Sequence, residues 1–310
     1  MAQASDYTID NSTGANVRAD INTVLQAIAT NNSGSSAPST TFASGFYANT
    51  SSSKMQLRNT ANNAFLNLFT LAGGPAFAVD GTINGLNIGR GANSATGNTC
   101  FGESALDASV SGTNNTAIGK NALTELTSGN TNVAVGREAL KVNTTGSANI
   151  GIGSQSLLAN TTADSNIAVG QATLSNNTTG AENVAVGREA LKFNTTASNN
   201  TAIGKSALEA NTTGSENVAI GHLTLDANTT GSDNVALGKG ALGANTTGNS
   251  NTALGGNSLN LSTTANSNTA VGFDSLSANT TGAENCALGR NTLKNSTTGN
   301  DNTALGKSAM

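Results

Sequence analysis

One spacing constrains this chain more than any other feature. A glycine recurs every 17 residues, thirteen times, from Gly102 to Gly306, without insertion or deletion. An Asn stands four residues before each glycine, and a Leu, or Met310 in the last copy, stands four residues after it. Fixed-period self-similarity indicates a repeat architecture, and 17 residues are too few for a helix pair, which needs about 33. The spacing therefore predicts an all-β fold, a parallel β-solenoid or β-roll of 17-residue rungs.

Each copy opens with a strand pattern, which we number from its Asn as position 0. Position 1 is mostly Val, Ile or Thr, position 2 is Ala in eleven copies, and position 3 is Ile, Val or Leu except at Phe101. This alternation predicts a short strand with positions 1 and 3 on one face and position 2 on the other. We expect turns at the Asn, which tolerates left-handed backbone, and at the Gly of position 4. Representative turn residues are Asn115, Gly119, Asn183, Gly187, Asn217 and Gly221.

The aliphatic residues at positions 3 and 8 are the predicted core of the repeats. They include Ile118, Leu123, Val135, Leu140, Val186, Leu191, Ile203, Leu208, Ile220 and Leu225. After the Leu of position 8, the run Asn-Thr-Thr-Gly indicates a second short strand or an extended edge followed by a turn. The Ala of position 2 has two interpretations: it fits a narrow interior, or the Ala columns line an interface between subunits.

The chain before the repeats has a different composition. Apolar residues at helical spacing between Thr13 and Thr30 predict a helix, and short strands are expected near Phe46, Lys54 and Phe65. We assign residues 1–75 to an α+β domain for attachment or oligomerisation and residues 76–97 to a transition with a degenerate capping rung. Residues 98–310 hold the thirteen repeats.

The composition of the chain favours association with further copies of itself over binding to nucleic acid or insertion into a membrane. Aromatic residues make up 3% and charged residues 10% of the chain, and the net charge is −4. The core must therefore be thin, and a homotrimer is the expected remedy. No basic patch suits nucleic acid, and no apolar run approaches the ~20 residues that would insert into a membrane. The segment Met1–Asp10 lacks a signal-peptide core, so we expect synthesis in a cytoplasm.

Catalytic chemistry finds little support. His222 is the only His and follows a repeat glycine, which favours a surface position over a triad. The recurring acids are whole rungs apart and are interpreted as a solvated edge, and the residues after the glycines as a charged rim. We expect no enzyme, no metal and no cofactor, and no disulfide between Cys100 and Cys286, which are about 50 Å apart at ~4.8 Å per rung. The acids are Glu182, Glu216, Asp233, Glu284 and Asp301, and the rim residues are Lys120, Arg137, Glu138, Arg188, Glu189, Lys205, Lys239, Arg290 and Lys307.

Two stretches resemble known families. The motif Asn-x-Ala-[IV]-Gly, as in residues 115–119 and 183–187, resembles the head repeats of YadA-like trimeric adhesins, which implies parallel β-rolls in a threefold bundle. Residues 7–11, 14–22, 54–59 and 64–69 are similar to the N-terminal region of tail-fibre proteins of marine bacteriophages, particularly cyanophages. That resemblance implies a trimeric virion protein whose N-terminus attaches to the particle.

These observations together predict a structural tail-fibre protein of a phage virion that mediates adhesion to the host surface. Its expected partners are two further copies of itself, other virion tail proteins through residues 1–75, and a glycan or protein of the host surface. The regular Thr residues favour an alternative, an adhesin that binds ice or a polysaccharide.

Overall fold

The computed structural model describes residues 33–34, 46–49, 54–58, 65–70, 81–83, 86–91 and 95–310. The helix expected between Thr13 and Thr30 lies outside these residues. The chain forms two compact units, Met1–Gly81 and Thr82–Met310. In the first unit β1 (Ser33–Gly34) runs parallel to β2 (Phe46–Asn49), and β2, β3 (Lys54–Arg58) and β4 (Phe65–Thr70) are antiparallel neighbours.

A 15-stranded sheet, whose strands follow in chain order, builds the second unit. From the seventh strand onward all strands are parallel and pair without a register shift, so that Ala185 lies beside Ala202 and Ala202 beside Ala219. The strands are β5 (Gly81–Ile83), β6 (Leu86–Gly89), β7 (Thr99–Gly102), β8 (Thr116–Ile118), β9 (Val133–Val135), β10 (Ile150–Ile152), β11 (Ile167–Val169), β12 (Val184–Val186), β13 (Thr201–Ile203), β14 (Val218–Ile220), β15 (Val235–Leu237), β16 (Thr252–Leu254), β17 (Thr269–Val271), β18 (Cys286–Leu288) and β19 (Thr303–Leu305).

The predicted fold class, a parallel β-solenoid of 17-residue rungs, is confirmed. From β7 to β19 there are twelve steps, which at ~4.8 Å each give a shaft about 58 Å long. The segment expected to be a degenerate rung is different: β6 runs antiparallel to β7, with Ile88 beside Phe101. It caps the first parallel strand without continuing the series.

Outside the strand, each rung is built from turns that still hydrogen-bond to the neighbouring rungs. The second half contains no second strand among the described residues. Its backbone instead donates from rung to rung, as from Thr144 N to Thr161 O at 2.8 Å. The corners use positive φ at positions 4, 6, 8 and 16, for example Gly187 at 131°, Glu189 at 61° and Leu191 at 50°. The glycine is required, because a Cβ on Gly187 would lie 2.5 Å from the carbonyl oxygen of Gly204.

The backbone at position 8 explains why this residue is Leu. All twelve of these Leu residues have φ between 46° and 53°, a region that is especially unfavourable for β-branched residues. Left-handed backbone costs a Leu roughly 1–2 kcal/mol, and its burial contributes about 2 kcal/mol. This balance disfavours Ile and Val at position 8, and these residues instead occupy the strand.

The interior of each rung is thin and contains the Leu of position 8 and small residues at positions 2 and 7. The structure places Leu123, Leu140, Leu191, Leu208 and Leu225 inside, with no exposed surface. The Ala residues of position 2 are also inside, which decides between the two interpretations of these columns: they line the interior of the chain and not a subunit interface.

The other five predicted core residues are not in the core of the chain, and we correct that assignment. Positions 1 and 3 face outward, because the narrow interior accommodates only the small side chain of position 2. Ile203 is 39% exposed, although the neighbouring Ala202 is fully buried. Ile118 and Val186 are likewise exposed, and Val135 and Ile220 are half-buried.

The Asn of position 0 forms a continuous buried ladder. Asn183 is fully buried, and its backbone N and its Nδ2 both donate to Oδ1 of Asn166, at 3.0 and 3.1 Å. Its Nδ2 also donates to the Ala197 carbonyl at 2.9 Å. This corrects the expected role of Asn115, Asn183 and Asn217: their side chains bind inside, and the left-handed corner belongs to the preceding residue, such as Glu182.

A second buried ladder runs through position 11, starting at Asn143. Nδ2 of Asn211 donates to Oδ1 of Asn194 at 3.0 Å and to the Gly214 carbonyl at 2.8 Å. Ser262 interrupts this ladder, because its side chain is too short to reach either neighbour. Oγ of Ser262 and Oδ1 of Asn245 consequently lack a hydrogen-bond partner although both are buried.

We expect Leu208→Asp to disrupt the shaft, because Leu208 is fully buried and an unpaired buried charge costs several kcal/mol. The exposed Lys205, three residues earlier, provides the matched control Lys205→Ser, which should stay within about 0.5 kcal/mol of the unmodified protein. Thermal unfolding followed by circular dichroism measures both. Equal melting of the two variants would show that the Leu column is not the core.

We expect Ser262→Asn to stabilise the shaft by about 1 kcal/mol, since the new amide can donate to Asn245 and accept from Asn279. The backbone accommodates it, because Asn194 already binds the carbonyl of an Ala three residues later, and Ala265 stands at that place here. Denaturant unfolding measures the gain. Ser262→Ala is the control, which removes the unpaired hydroxyl without bridging the gap; a gain no larger for Asn than for Ala would contradict the ladder.

Candidate functional site

The His and Cys residues that the sequence singled out lie far apart in the described part of the chain. His222 is exposed on its corner, and no group of three His, Cys, Asp or Glu residues there could hold a metal ion. Cys100 is buried inside and Cys286 faces outward, eleven rungs further along the chain. The residues with assigned structure include no candidate for a membrane-spanning helix.

One shallow groove, about 400 Å³ in volume, interrupts the regular surface where Gly240 and Gly243 replace larger residues. Leu223 and Asp226 are among its walls. Burial raises the pKa of Asp226; a hydrogen bond from its own backbone opposes this rise, the charge of Glu209 adds to it, and His222 lowers it. Lys239 also lines the groove.

The most extensive candidate site is the outward side of the strand column, which we call the apolar face. It consists of positions 1 and 3 of the thirteen repeats and contains no charged residue. Position 3 is aliphatic in every copy but one. Its exposed members include Phe101, Ile118, Ile152, Val186, Ile203, Leu237, Leu288 and Leu305.

The apolar face is large for the surface of one chain, although six of its thirteen position-1 residues are Thr. At a length of about 58 Å and a width of about 10 Å, it covers roughly 600 Å². That is the upper end of the range for the largest apolar patch of a typical monomer, and contiguous patches of this size mark interaction sites. The face is also periodic, because successive strands pair in the same register.

Charged residues border the apolar face on both sides. We call the residues that follow the position-4 glycines the basic edge. One of its charged members, Glu103, is acidic. The basic members are Lys120, Arg137, Arg188, Lys205, His222, Lys239, Arg290 and Lys307. The residues before the Asn form the acidic edge: Glu182, Glu216, Asp233, Glu284 and Asp301. All of these residues are exposed, as the sequence predicted for the solvated edge and the rim, whereas the rim residues Glu138 and Glu189 are half-buried.

Some of the basic edge is paired within the chain. Lys120 Nζ lies 2.9 Å from Glu103, Arg137 lies 2.9 Å from Glu138, and Arg188 lies 3.1 Å from Glu189. In contrast, no member of the acidic edge has a basic nitrogen within 4 Å among residues 95–310. The whole acidic edge, together with Lys205, Lys239, Arg290 and Lys307 of the basic edge, therefore has charge to offer to a partner.

Two carboxylates outside the acidic edge, those of Asp274 and Glu189, contact lysines of the same chain. A hydrogen bond from Lys294 Nζ, at 2.7 Å, lowers the pKa of Asp274. Glu189 receives Lys192 at 3.4 Å in addition to Arg188. The contacts of Lys294 with Asp274 and of Lys192 with Glu189 lie outside the two edges and involve no residue of the acidic edge.

The threonines form two columns with different roles. At position 12 the hydroxyl is already used, as in Thr212 Oγ1, which donates to the Thr229 carbonyl at 2.9 Å. At position 13 the side chain is exposed, as at Thr213 and Thr230. Position 13 is therefore the column whose Thr side chains face solvent.

The structure separates the residues that the sequence grouped together. The predicted core divides into an inward Leu column and an outward Ile and Val column, and the turn glycines lie at corners, as their spacing predicted. Sequence reasoning missed the apolar face. The available signal was the volume of position 2, because a column of Ala can line a narrow interior that excludes larger residues.

Comparison with known proteins adds no relative: no family model, curated protein or solved structure matches the chain.

Proposed function

We propose that the protein is a structural, non-enzymatic fibre of a phage virion, in which three parallel copies associate and the shaft mediates adhesion to the host surface. The observation that carries the proposal is the apolar face. A periodic apolar column of thirteen rungs needs a cover, and the partner whose pattern has the same period over the same length is a second copy of the chain.

The number of copies rests on the resemblance of residues 115–119 and similar motifs to trimeric adhesin heads. Three copies arranged around an axis parallel to the shaft would direct all three apolar faces toward that axis. Each chain would then bury its outward Ile and Val columns, which supply the apolar volume that the thin interior of one rung lacks.

Attachment to the particle is assigned to residues 1–75, because that part of the chain resembles the N-terminal region of phage tail fibres. The repeats would then project outward. Their outer surface presents the same small groups on three chains and many rungs, so weak contacts to a host glycan or protein add up through avidity.

Binding to ice or to a polysaccharide is the second candidate, and the exposed Thr column at position 13 favours it. The position-12 hydroxyls, however, are bonded to the next rung, which leaves one column where a flat array needs several. Thermal hysteresis of the purified protein measures this activity directly.

We expect the protein in solution to have a mass three times its chain mass of 30.6 kDa. Ile203→Lys should reduce this to one chain at micromolar concentration, because three ammonium groups would be buried at the axis. Thr213→Lys, which adds the same charge on another side of the rung, is the control and should remain trimeric. Light scattering gives the masses; a monomeric unmodified protein would overturn the proposal.

Deletion of residues 1–75 should leave a rod that keeps the circular dichroism of the repeats but does not join the particle. The measurement is the amount of truncated chain in purified virions, relative to full-length chain expressed in the same way. Particles that incorporate both chains equally would show that attachment lies in the repeats.

A further inference from the structure

Every member of the acidic edge is matched by a member of the basic edge on the same rung, although Lys120, Arg137 and Lys205 lie on rungs without such an acid. Each rung that carries an acid before its Asn also carries a basic residue, or the imidazole of His222, after its glycine. The five pairs are Glu182 with Arg188, Glu216 with His222, Asp233 with Lys239, Glu284 with Arg290, and Asp301 with Lys307. The four rungs that begin at Asn149, Asn166, Asn251 and Asn268 lack both charges.

These pairs do not form within one chain. In each pair the acid and the base lie at opposite ends of the strand, six residues apart, a separation of up to about 20 Å in extended backbone. Consistent with this, the ion pairs of residues 95–310 include none of the five. The matching therefore provides no contact in the isolated chain.

A second copy brings the two edges together in only one orientation. Rotation about an axis parallel to the shaft places the basic edge of one chain against the acidic edge of the next, and it repeats around a ring. Antiparallel packing of two apolar faces would instead place acidic edge on acidic edge and basic edge on basic edge. Like charges in such an interface oppose binding.

The matching also selects the height at which neighbouring chains align. With no offset, four acids face Lys or Arg and Glu216 faces His222. If the neighbour is displaced by one rung toward its N-terminus, each acid faces the following rung of the neighbour. Three acids then still face Lys, but Asp233 faces Gly256, and Asp301 faces no rung of residues 98–310. Displacement in the other direction leaves Glu216 facing Lys205 and Asp301 facing Arg290, but it places Glu182 opposite Gln171 and Glu284 opposite Phe273.

We infer that the five matched pairs are contacts between neighbouring copies, which fix a parallel assembly in which equal rungs lie at equal height. This inference rests on the proposed function, since it requires that copies associate through the apolar face. The apolar face supplies area that is nearly the same for every rung and therefore tolerates sliding, whereas the charged edges distinguish one alignment from the others.

A charge-reversal series tests whether the matched pairs stabilise the association of copies. It uses three pairs whose members form no ion pair within the chain. The acid-reversed variant carries Asp233→Lys, Glu284→Lys and Asp301→Lys. We expect it to dissociate into single chains at a concentration at least about tenfold higher than the unmodified protein, because three attractive contacts per interface become repulsive. The effect should shrink in 1 M salt, where charges are screened within about 3 Å.

The complementary variant carries Lys239→Glu, Arg290→Glu and Lys307→Glu and should be weakened similarly. Combination of both sets in one chain reverses all three pairs and should restore association to within about threefold of the original. A matched control changes three acids that lie on neither edge, Asp107, Glu125 and Glu209, to Lys and should leave association unchanged. Failure of the combined variant to recover overturns the inference.

Cross-linking tests the geometry in the full-length protein. In a Cys286→Ser background, Glu182→Cys with Arg188→Cys should give covalently linked chains with a short bismaleimide, because the two thiols meet only between neighbours. Glu182→Cys with Arg290→Cys, whose thiols lie six rungs or about 29 Å apart in height, should not.

The outcomes separate the two claims. A monomeric unmodified protein overturns the proposed function and this inference together. An oligomer that is cross-linked in the six-rung variant, or that shows no charge-reversal rescue, leaves the proposed function standing and overturns the alignment inferred here.

Discussion

The buried amide of position 0 is the interaction on which the shaft depends. An Asn side chain without exposure has to satisfy two donors and an acceptor, and here the acceptor is satisfied by the Asn of the next rung. The same side chain also binds a carbonyl 14 residues later and so closes its own rung, as Asn183 does with Ala197. One residue type thus sets the size of a rung and its spacing from the next. An insertion would break both contacts at once.

This inward polar construction has a consequence for the outside. The two Asn columns and the small residues of positions 2 and 7 occupy much of the interior, which leaves room for one large aliphatic residue in most rungs. The aliphatic residues of positions 1 and 3 lie on the outward side of the strand, where they are half-buried or exposed. The chain consequently has a well-bonded interior and an exposed apolar surface.

The period, the strand positions and the buried Leu column could be predicted from the sequence because each depends on spacing alone. Alternation puts Ile203 and Ala202 on opposite faces of a strand but does not identify the inner face. The prediction put Ile203 inside, although the small volume of Ala202 favours Ala202 for the narrow interior. The Asn ladder that includes Asn183 was not predicted. The prediction considered only the tolerance of a single Asn for left-handed backbone, whereas the ladder consists of hydrogen bonds between the Asn residues of successive rungs. The charge matching of Glu284 with Arg290 is visible in the sequence, but its meaning requires the position of the strand between them.

The bonding of each rung to its neighbours also bears on how such a chain can change over generations. Whole repeats can be gained or lost by recombination between their similar coding segments, and every surviving rung still meets a neighbour with the same Asn, Gly and Leu. The length of the repeat array is therefore free to vary in steps of one rung, whereas an insertion or deletion of any other length breaks the amide ladder.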